Sequence, residues 1–413
     1  MTLHETSDGI QERIESRLAE RVRSAPAPFF PDPSVPVRFN FDQGIPAPES
    51  YPVDDLADYA AKAIRSGGIA ACEYAAGGME EMGKGYLGLR EVLADRLSHR
   101  DGGPFTRQNV LLANGSSNAL SLCAAALLDP GDGVIVESLS YPFMLKYLDG
   151  RGADVRTVPI DDDGMDVDAV EAQLEAFGAE GITPKLIYTI ATFQVPTGTV
   201  LSLERRQRLV QLAAEWNVFV IEDNCYYDMY LDVPPPPTLL SLDRAGLVIQ
   251  TDSFSKILAP GLRVGYATAH ETVIDALATV REDHGINQML PRLLESYVND
   301  GMLEPHIERA RAINRAKRDA ALAALNEHCS QWLTFRVPNG GIYFWLEISP
   351  DINLEQVSAH MEAEGVACRP GERFTGDTSG RQFLRMAFLP VPADELVRGV
   401  EAMGRALRAS ASA

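Results

Sequence analysis

Residues 247–266 read Leu247-Val248-Ile249-Gln250-Thr251-Asp252-Ser253-Phe254-Ser255-Lys256-Ile257-Leu258-Ala259-Pro260-Gly261-Leu262-Arg263-Val264-Gly265-Tyr266. The stretch begins and ends on short, non-alternating runs (247–249 and 263–266), the pattern of strands covered on both faces. Between them Lys256 stands among small hydroxyl residues, with Arg263 further on. A lysine just past a buried strand is open to desolvation, which favours the neutral amine and makes it a nucleophile toward an aldehyde. Ser253, Ser255 and Arg263 supply hydroxyls and a cation, as a phosphate beside that amine would require. Taken alone, the segment also reads as a surface loop that happens to contain a lysine.

Working outward, further apolar runs at 110–113, 134–136, 186–188 and 218–221 alternate with helix-patterned segments. Such alternation indicates an α/β fold built on a largely parallel sheet with helices on both faces. Downstream, residues 271–326 are helix-patterned. They are followed by a strand pair near 335 and 342–346, a helix near 354–364, a strand at 382–388 and a helix at 393–406, which together form a smaller α+β module. Upstream, a helix over 10–24, a Pro-rich stretch at 25–36 and a short run at 37–41 read as an arm. The expected division is therefore an arm at 1–50, a large domain at 51–300 and a small domain at 301–413. A strand-like segment at 226–231 precedes four prolines, Pro234 to Pro237, which read as a stiff surface loop.

The 413 residues, 46% of them hydrophobic, suffice for two cores. A net charge of −21 argues against a nucleic-acid surface, which needs clustered Lys and Arg to neutralise phosphates. No uncharged apolar run reaches the roughly 18 residues of a membrane span, and residues 1–23 lack a signal-peptide core, so the expected location is the cytoplasm. Five scattered cysteines without a CxxC pair point to neither a disulfide framework nor a metal site.

Two more segments carry chemistry. Asn114-Gly115-Ser116-Ser117-Asn118 follows one strand and opens a helix, so its N–H groups and hydroxyls form either a phosphate cradle or a simple helix cap. Asp223 follows the run at 218–221, where a carboxylate can pair with a protonated pyridine nitrogen or serve as a loop cap. With these residues in hand, the chain resembles the fold-type I, pyridoxal 5′-phosphate (PLP) dependent class I/II aminotransferases, over about residues 41–406. The closest likeness within that family is to the 2-aminoadipate and kynurenine aminotransferase branch.

That resemblance implies a large domain with a mostly parallel seven-stranded sheet, a smaller C-terminal domain and a homodimer. It makes Lys256 the catalytic lysine that holds PLP as a Schiff base, and Asp223 the partner of the pyridine nitrogen. Tyr226 would serve the ring oxygen, and Tyr141 would stack on the ring. Ser116, Ser117, Ser253, Ser255 and Arg263 match phosphate-binding positions. Arg385 matches the arginine that grips the substrate α-carboxylate, and Gly44 a backbone position that folds over the substrate.

Some residues depart from the family pattern. Val195 replaces the asparagine of the usual Asn-Pro-Thr-Gly turn and has no donor for the ring oxygen. Tyr74, a candidate substrate-binding residue by the resemblance, stands further than usual before Gly85-Tyr86, so the segment 75–84 reads as a longer loop, placed by the resemblance near the partner subunit's site. Ser117 stands where glutamine is common, and Asn224-Cys225 replaces Asp-Pro. The implied function is transfer of an amino group from an amino acid to a 2-oxo acid. Val195 motivates the alternative, a carbon–sulfur β-lyase or an oxygen-using decarboxylating deaminase. A PLP-binding regulator is disfavoured, because the short stretch before the resemblance is not basic.

Overall fold

A computed structural model of the chain describes residues 7–19, 36–75, 77–375 and 380–411. Val37–Ala413 form one compact unit, and the residues up to Pro36 another. The helix expected over 10–24 is observed at Ser7–Glu15. Residues 20–24 and the Pro-rich stretch at 25–35 lie outside the described residues.

In chain order the strands of the larger unit begin with β1 (Phe39–Asn40), β2 (Val110–Ala113), β3 (Gly133–Glu137) and β4 (Asp154–Val158). A short hairpin of β5 (Ile160–Asp161) and β6 (Gly164–Met165) precedes β7 (Pro184–Thr189), β8 (Phe219–Asp223), β9 (Val248–Ser253) and β10 (Gly265–Thr268). The main sheet has seven strands in the order β2-β10-β9-β8-β7-β3-β4. It is mixed but mostly parallel, because only β10 runs antiparallel to its neighbours, β2 and β9.

Successive residues of the central strands feed opposite cores, as the period of two requires. Val134, Val136, Leu186, Tyr188 and Ile221 pack on one side with the helix Ser116–Leu127. Ile135, Ile187 and Val220 pack on the other with the helices Val167–Glu180 and Leu203–Trp216. Each fully buried aliphatic side chain contributes about 1.5–3 kcal/mol, so the layering rests on these unbroken runs. The sequence runs missed β4, because Asp154-Val155-Arg156-Thr157-Val158 lies at the sheet edge and is mostly polar, with only two apolar residues.

The small sheet comprises β11 (Leu333–Phe335), β12 (Tyr343–Ile348), β14 (Arg369–Pro370) and β15 (Phe383–Ala387), in the antiparallel order β11-β12-β15-β14. The helices Leu303–His328 and Ala393–Ala411 pack against each other beside it. Between β12 and β14 lies β13 (Val366–Ala367), which pairs in parallel with β1 and so draws the start of the unit alongside the small sheet.

Three expectations are corrected. Residues 271–326 are not continuously helical but form Glu271–Thr279, Met289–Asn299 and the start of Leu303–His328. The breaks carry His284, Gly285 and Gly301 in the left-handed region. Residues 226–231 contain a 3-10 turn at Tyr227–Met229 in place of a strand. The segment 75–84 is largely the helix Gly78–Lys84, and Ala76 lies outside the described residues.

One glycine sets the spacing at the top of the main sheet. A Cβ on Gly265 would lie 2.5 Å from the backbone of Gly115 and of Ser116, where no flexible side chain can yield. Gly265→Ala is therefore expected to lower stability by about 1–3 kcal/mol. Urea unfolding checks this as a lower midpoint at unchanged slope.

Candidate active site

The register of β10 collects most of the sequence-identified residues. Gly265 pairs with Ala113 on one side and Ser253 on the other, so the chain leaving β2, the chain leaving β9 and the chain entering β10 meet at one place. The helix Ser116–Leu127 starts there without a side-chain cap. Its free N–H groups and positive dipole end suit an anion. Arg263 adopts a left-handed conformation (φ 51°) and its guanidinium donates to the Asn114 carbonyl at 3.1 Å. The Ser253 and Ser255 hydroxyls lie 2.8 Å apart, and the Ser255 N–H donates to Ser253 Oγ at 3.0 Å. The Ser117 and Tyr141 hydroxyls are 3.2 Å apart, which joins Tyr141 to the same cluster.

At the parallel strand ends, Asp223 closes β8 opposite Thr251 of β9, two residues before Ser253. Asp223 is buried, and its Oδ2 accepts a 3.0 Å hydrogen bond from the Tyr188 hydroxyl. Oδ1 is buried without a hydrogen-bond partner among the described residues. Burial pushes the carboxyl up to about 6, against the lowering effects of the Tyr188 hydroxyl, nearby Cys225 and the Lys256 charge. The carboxylate thus lacks one partner.

Lys256 lies in the single turn Phe254–Ile257 directly after β9, and its Nζ donates to the Gly44 carbonyl. Gly44 can carry no side chain, because a Cβ there would overlap the Tyr343 hydroxyl. The Tyr343 ring stands edge-on to Tyr226 at 6.3 Å, and Arg385 lies 4.1 Å above it. Burial, reinforced by Tyr343, raises the Tyr226 hydroxyl above the ordinary range. Arg385 is itself buried and donates to the Asp42 carbonyl.

Val195 is buried in the turn at 194–198. The preceding Gln194 donates to Glu137 at 3.1 Å and to the Leu139 carbonyl at 2.6 Å, and it accepts from Thr197. Burial raises Glu137 to about 7. Tyr74 stands outside the cluster, 81% exposed, with its ring 6.1 Å from that of His284. Sequence reasoning missed Tyr188, Tyr343, Asp42, Glu137 and Gln194. For Tyr188, a hydroxyl near the end of an otherwise apolar run was the available signal. The others are brought in by contacts distant in sequence.

The profile of the family described as aminotransferase class I and II matches residues 56–402. The chain belongs to that family. It is 32% identical over 377 residues to the 2-aminoadipate transaminase of Thermus thermophilus, covering 89% of this chain and 90% of that protein. It is 30% identical over 367 residues to the aromatic-amino-acid aminotransferase 1 of Thermococcus litoralis, covering 88% of this chain and 87% of that one. The Pyrococcus horikoshii kynurenine aminotransferase, solved in complex with PMP, superposes with a TM-score of 0.88 at 27% identity, covering 97% of this chain and 99% of that one. Class I and II aminotransferases are PLP-dependent enzymes of fold type I, and this chain has their fold.

The residues present fit that cofactor. An uncapped helix start with Arg263 beside it matches a phosphate, and the unsatisfied Asp223 Oδ1 matches a protonated ring nitrogen.

Because folding raises Asp223 above the ordinary value of about 4, the folded state holds the proton more tightly than the unfolded chain. Well below pH 4 both states are protonated and no cost arises; the cost develops as the pH climbs from about 4 and is complete above about 6. In the cofactor-free protein, the stability advantage of Asp223→Asn over the parent is expected to grow by roughly 1–1.5 kcal/mol between pH 5 and pH 8. Urea unfolding at both pH values reads it, and a pH-independent difference would show that the carboxylate is not desolvated.

Proposed function

We propose that this aminotransferase uses Lys256 as its catalytic lysine and works on the amino group of an amino acid, with a 2-oxo acid as co-substrate. The observation that carries this reading is the placement of Lys256 just past β9 and of the unsatisfied Asp223 oxygen at the end of the adjacent β8, beside an anion cradle. When bound, PLP carries the amino group and withdraws electrons from the bond broken at the substrate Cα. Lys256 Nζ moves the proton from that Cα, as base and then as acid. Asp223 would accept the hydrogen bond of a protonated ring nitrogen through its free oxygen. Ser116, Ser117, Ser253, Ser255 and Arg263 would hold the phosphate through hydroxyls, helix N–H groups and one guanidinium. Tyr141 would stack on the ring, and Tyr226 would serve the ring oxygen without help from Val195.

In this reading Arg385 grips the substrate α-carboxylate and gives up its bond to the Asp42 carbonyl to do so, while the Gly44 backbone closes over the substrate. We also read residues 51–300 and 301–413 as large and small domains, and the working form as a homodimer. Exposed Ile69, Tyr74 and Met289, at 74%, 81% and 39%, support a partner subunit covering that face. Among the described residues no helix is long and apolar enough to cross a membrane. The five cysteines are unpaired thiols, which suits the cytoplasm as the site of action.

The reading is tested with the holoenzyme and a panel of amino acids, with and without a 2-oxo acid, while assaying ammonia, carbon dioxide and hydrogen peroxide. Amino transfer that requires the acceptor supports it; acceptor-independent release of those products would replace it with the lyase or deaminase reading. Lys256→Ala is expected to abolish turnover, and borohydride reduction followed by peptide mapping should place the cofactor on Lys256. Val195→Asn adds a donor beside the ring oxygen and is expected to lower the pH midpoint of the holoenzyme's visible absorbance. A pH titration with an unmoved midpoint would show that Val195 has no electronic consequence.

A further inference from the structure

The turn that carries Val195 is closed on itself. The Gln194 N–H donates to the Thr199 carbonyl at 2.9 Å, and the Gly198 N–H donates back to the Gln194 carbonyl at 2.6 Å. Val195 is buried in the same core as Tyr226 and Tyr343. Thr197, Gly198 and Thr199, by contrast, line a cavity of about 530 Å³ that Asp162 and Arg336 also line. Those two charged side chains are mostly exposed, so the cavity is polar, roomy and open to water. The turn is therefore a partition with a dry side and a wet side.

This partition hangs from one buried carboxyl. Glu137 ends β3, and its Oε1 accepts from the Thr189 hydroxyl of β7 at 2.7 Å while its Oε2 accepts from Gln194 Nε2 at 3.1 Å. Gln194 Nε2 also donates to the Leu139 carbonyl at 2.6 Å, and its Oε1 accepts from the Thr197 N–H at 3.0 Å and the Thr197 hydroxyl at 2.7 Å. Both donors and both acceptor positions of the Gln194 amide are thus in use, and a buried network satisfied in this way is rigid. The tether does not depend on the charge of Glu137. If Oε1 carries a proton, the Thr189 hydroxyl turns to accept it, and Oε2 still accepts from Gln194.

Valine has no donor with which the turn could bond to a ring oxygen, so the place of the turn has to be set from behind. We propose that Glu137, acting through Gln194, is a positioning residue that holds Val195 as a cover over the cofactor's ring oxygen and keeps the water of the neighbouring cavity away from it. This rests on the reading of Val195 as the residue beside that oxygen.

The test is a pH titration of the holoenzyme's visible absorbance, with urea unfolding of each variant alongside. Water admitted to the ring oxygen donates to it and favours the form with one proton fewer, so the absorbance midpoint falls. Gln194→Leu keeps the side-chain size and removes the tether. Its midpoint is expected to fall by on the order of one pH unit, the scale of one hydrogen bond to a charged group. Glu137→Ala is expected to lower the midpoint in the same way, whereas Glu137→Gln still offers Gln194 an acceptor and is expected to keep the parent value. Val195→Ala leaves the tether in place and thins the cover, so it is expected to lower the midpoint, and it decides the matter if the tether variants do not fold. A lower urea midpoint with an unmoved absorbance midpoint in Gln194→Leu and Glu137→Ala marks a purely structural pair and overturns the proposal. So does an unmoved absorbance midpoint in Val195→Ala, or a Glu137→Gln shift as large as that of Glu137→Ala, which assigns the effect to charge. A parent holoenzyme without a titrating visible band fails the cofactor reading itself, whereas a parent that titrates beside unmoved variants fails only the proposal about Glu137.

Discussion

Asp223 is a carboxylate placed where water cannot reach one of its oxygens. Desolvation of that group costs several kcal/mol unless a cation or donor arrives, and the Tyr188 hydroxyl satisfies only half of the requirement. The surrounding architecture serves this placement. A parallel β7-β8-β9 arrangement carries Asp223 and Lys256 to the same edge, and helices on both faces keep that edge dry at its base. In the proposed reading this destabilised acid answers a basic ring, and part of the binding energy of that ring would be the relief of a penalty already present.

The second constraint is the reversal of β10. A wholly parallel sheet would have brought the segment holding Arg263 in at the opposite edge. Running antiparallel between β2 and β9, β10 instead begins where its neighbours end, so its preceding turn faces the helix start at Ser116. The proposed anion cradle is thus a matter of strand direction as much as of residue identity, and Gly265 is what allows the backbones to approach.

The residues that the sequence made legible are those whose roles are local. Lys256, Ser253, Ser255 and Arg263 fall within one strand–turn–strand unit, and Asp223 ends a recognisable apolar run, so periodicity put them at strand ends, while the roles expected of them came from the family resemblance. The fold class followed from the same runs, and β4 escaped only because an edge strand is half polar. Tyr343, Asp42 and Arg369 were not legible, because each gains its meaning from a contact across the chain. An aspartate at position 42 is unremarkable until the small sheet brings Arg369 against it. Tyr74 is the converse case: its role was inferred from a resemblance that concerns a second subunit, and a single chain shows only an exposed ring.

The pairing of β1 with β13 has a consequence for synthesis. Asp42 and Arg369 are separated by 327 residues, and Asp42 and Arg385 by 343. A ribosome-bound chain can assemble the sheet that carries Asp223 and Lys256 while the segment that completes the other half of the cavity has not been translated. Contacts of such long sequence separation are the slowest to close. The strap at residues 40–44 must therefore wait, uncovered, for nearly the whole chain to emerge, and the enclosure over the substrate is among the last parts of the molecule to form.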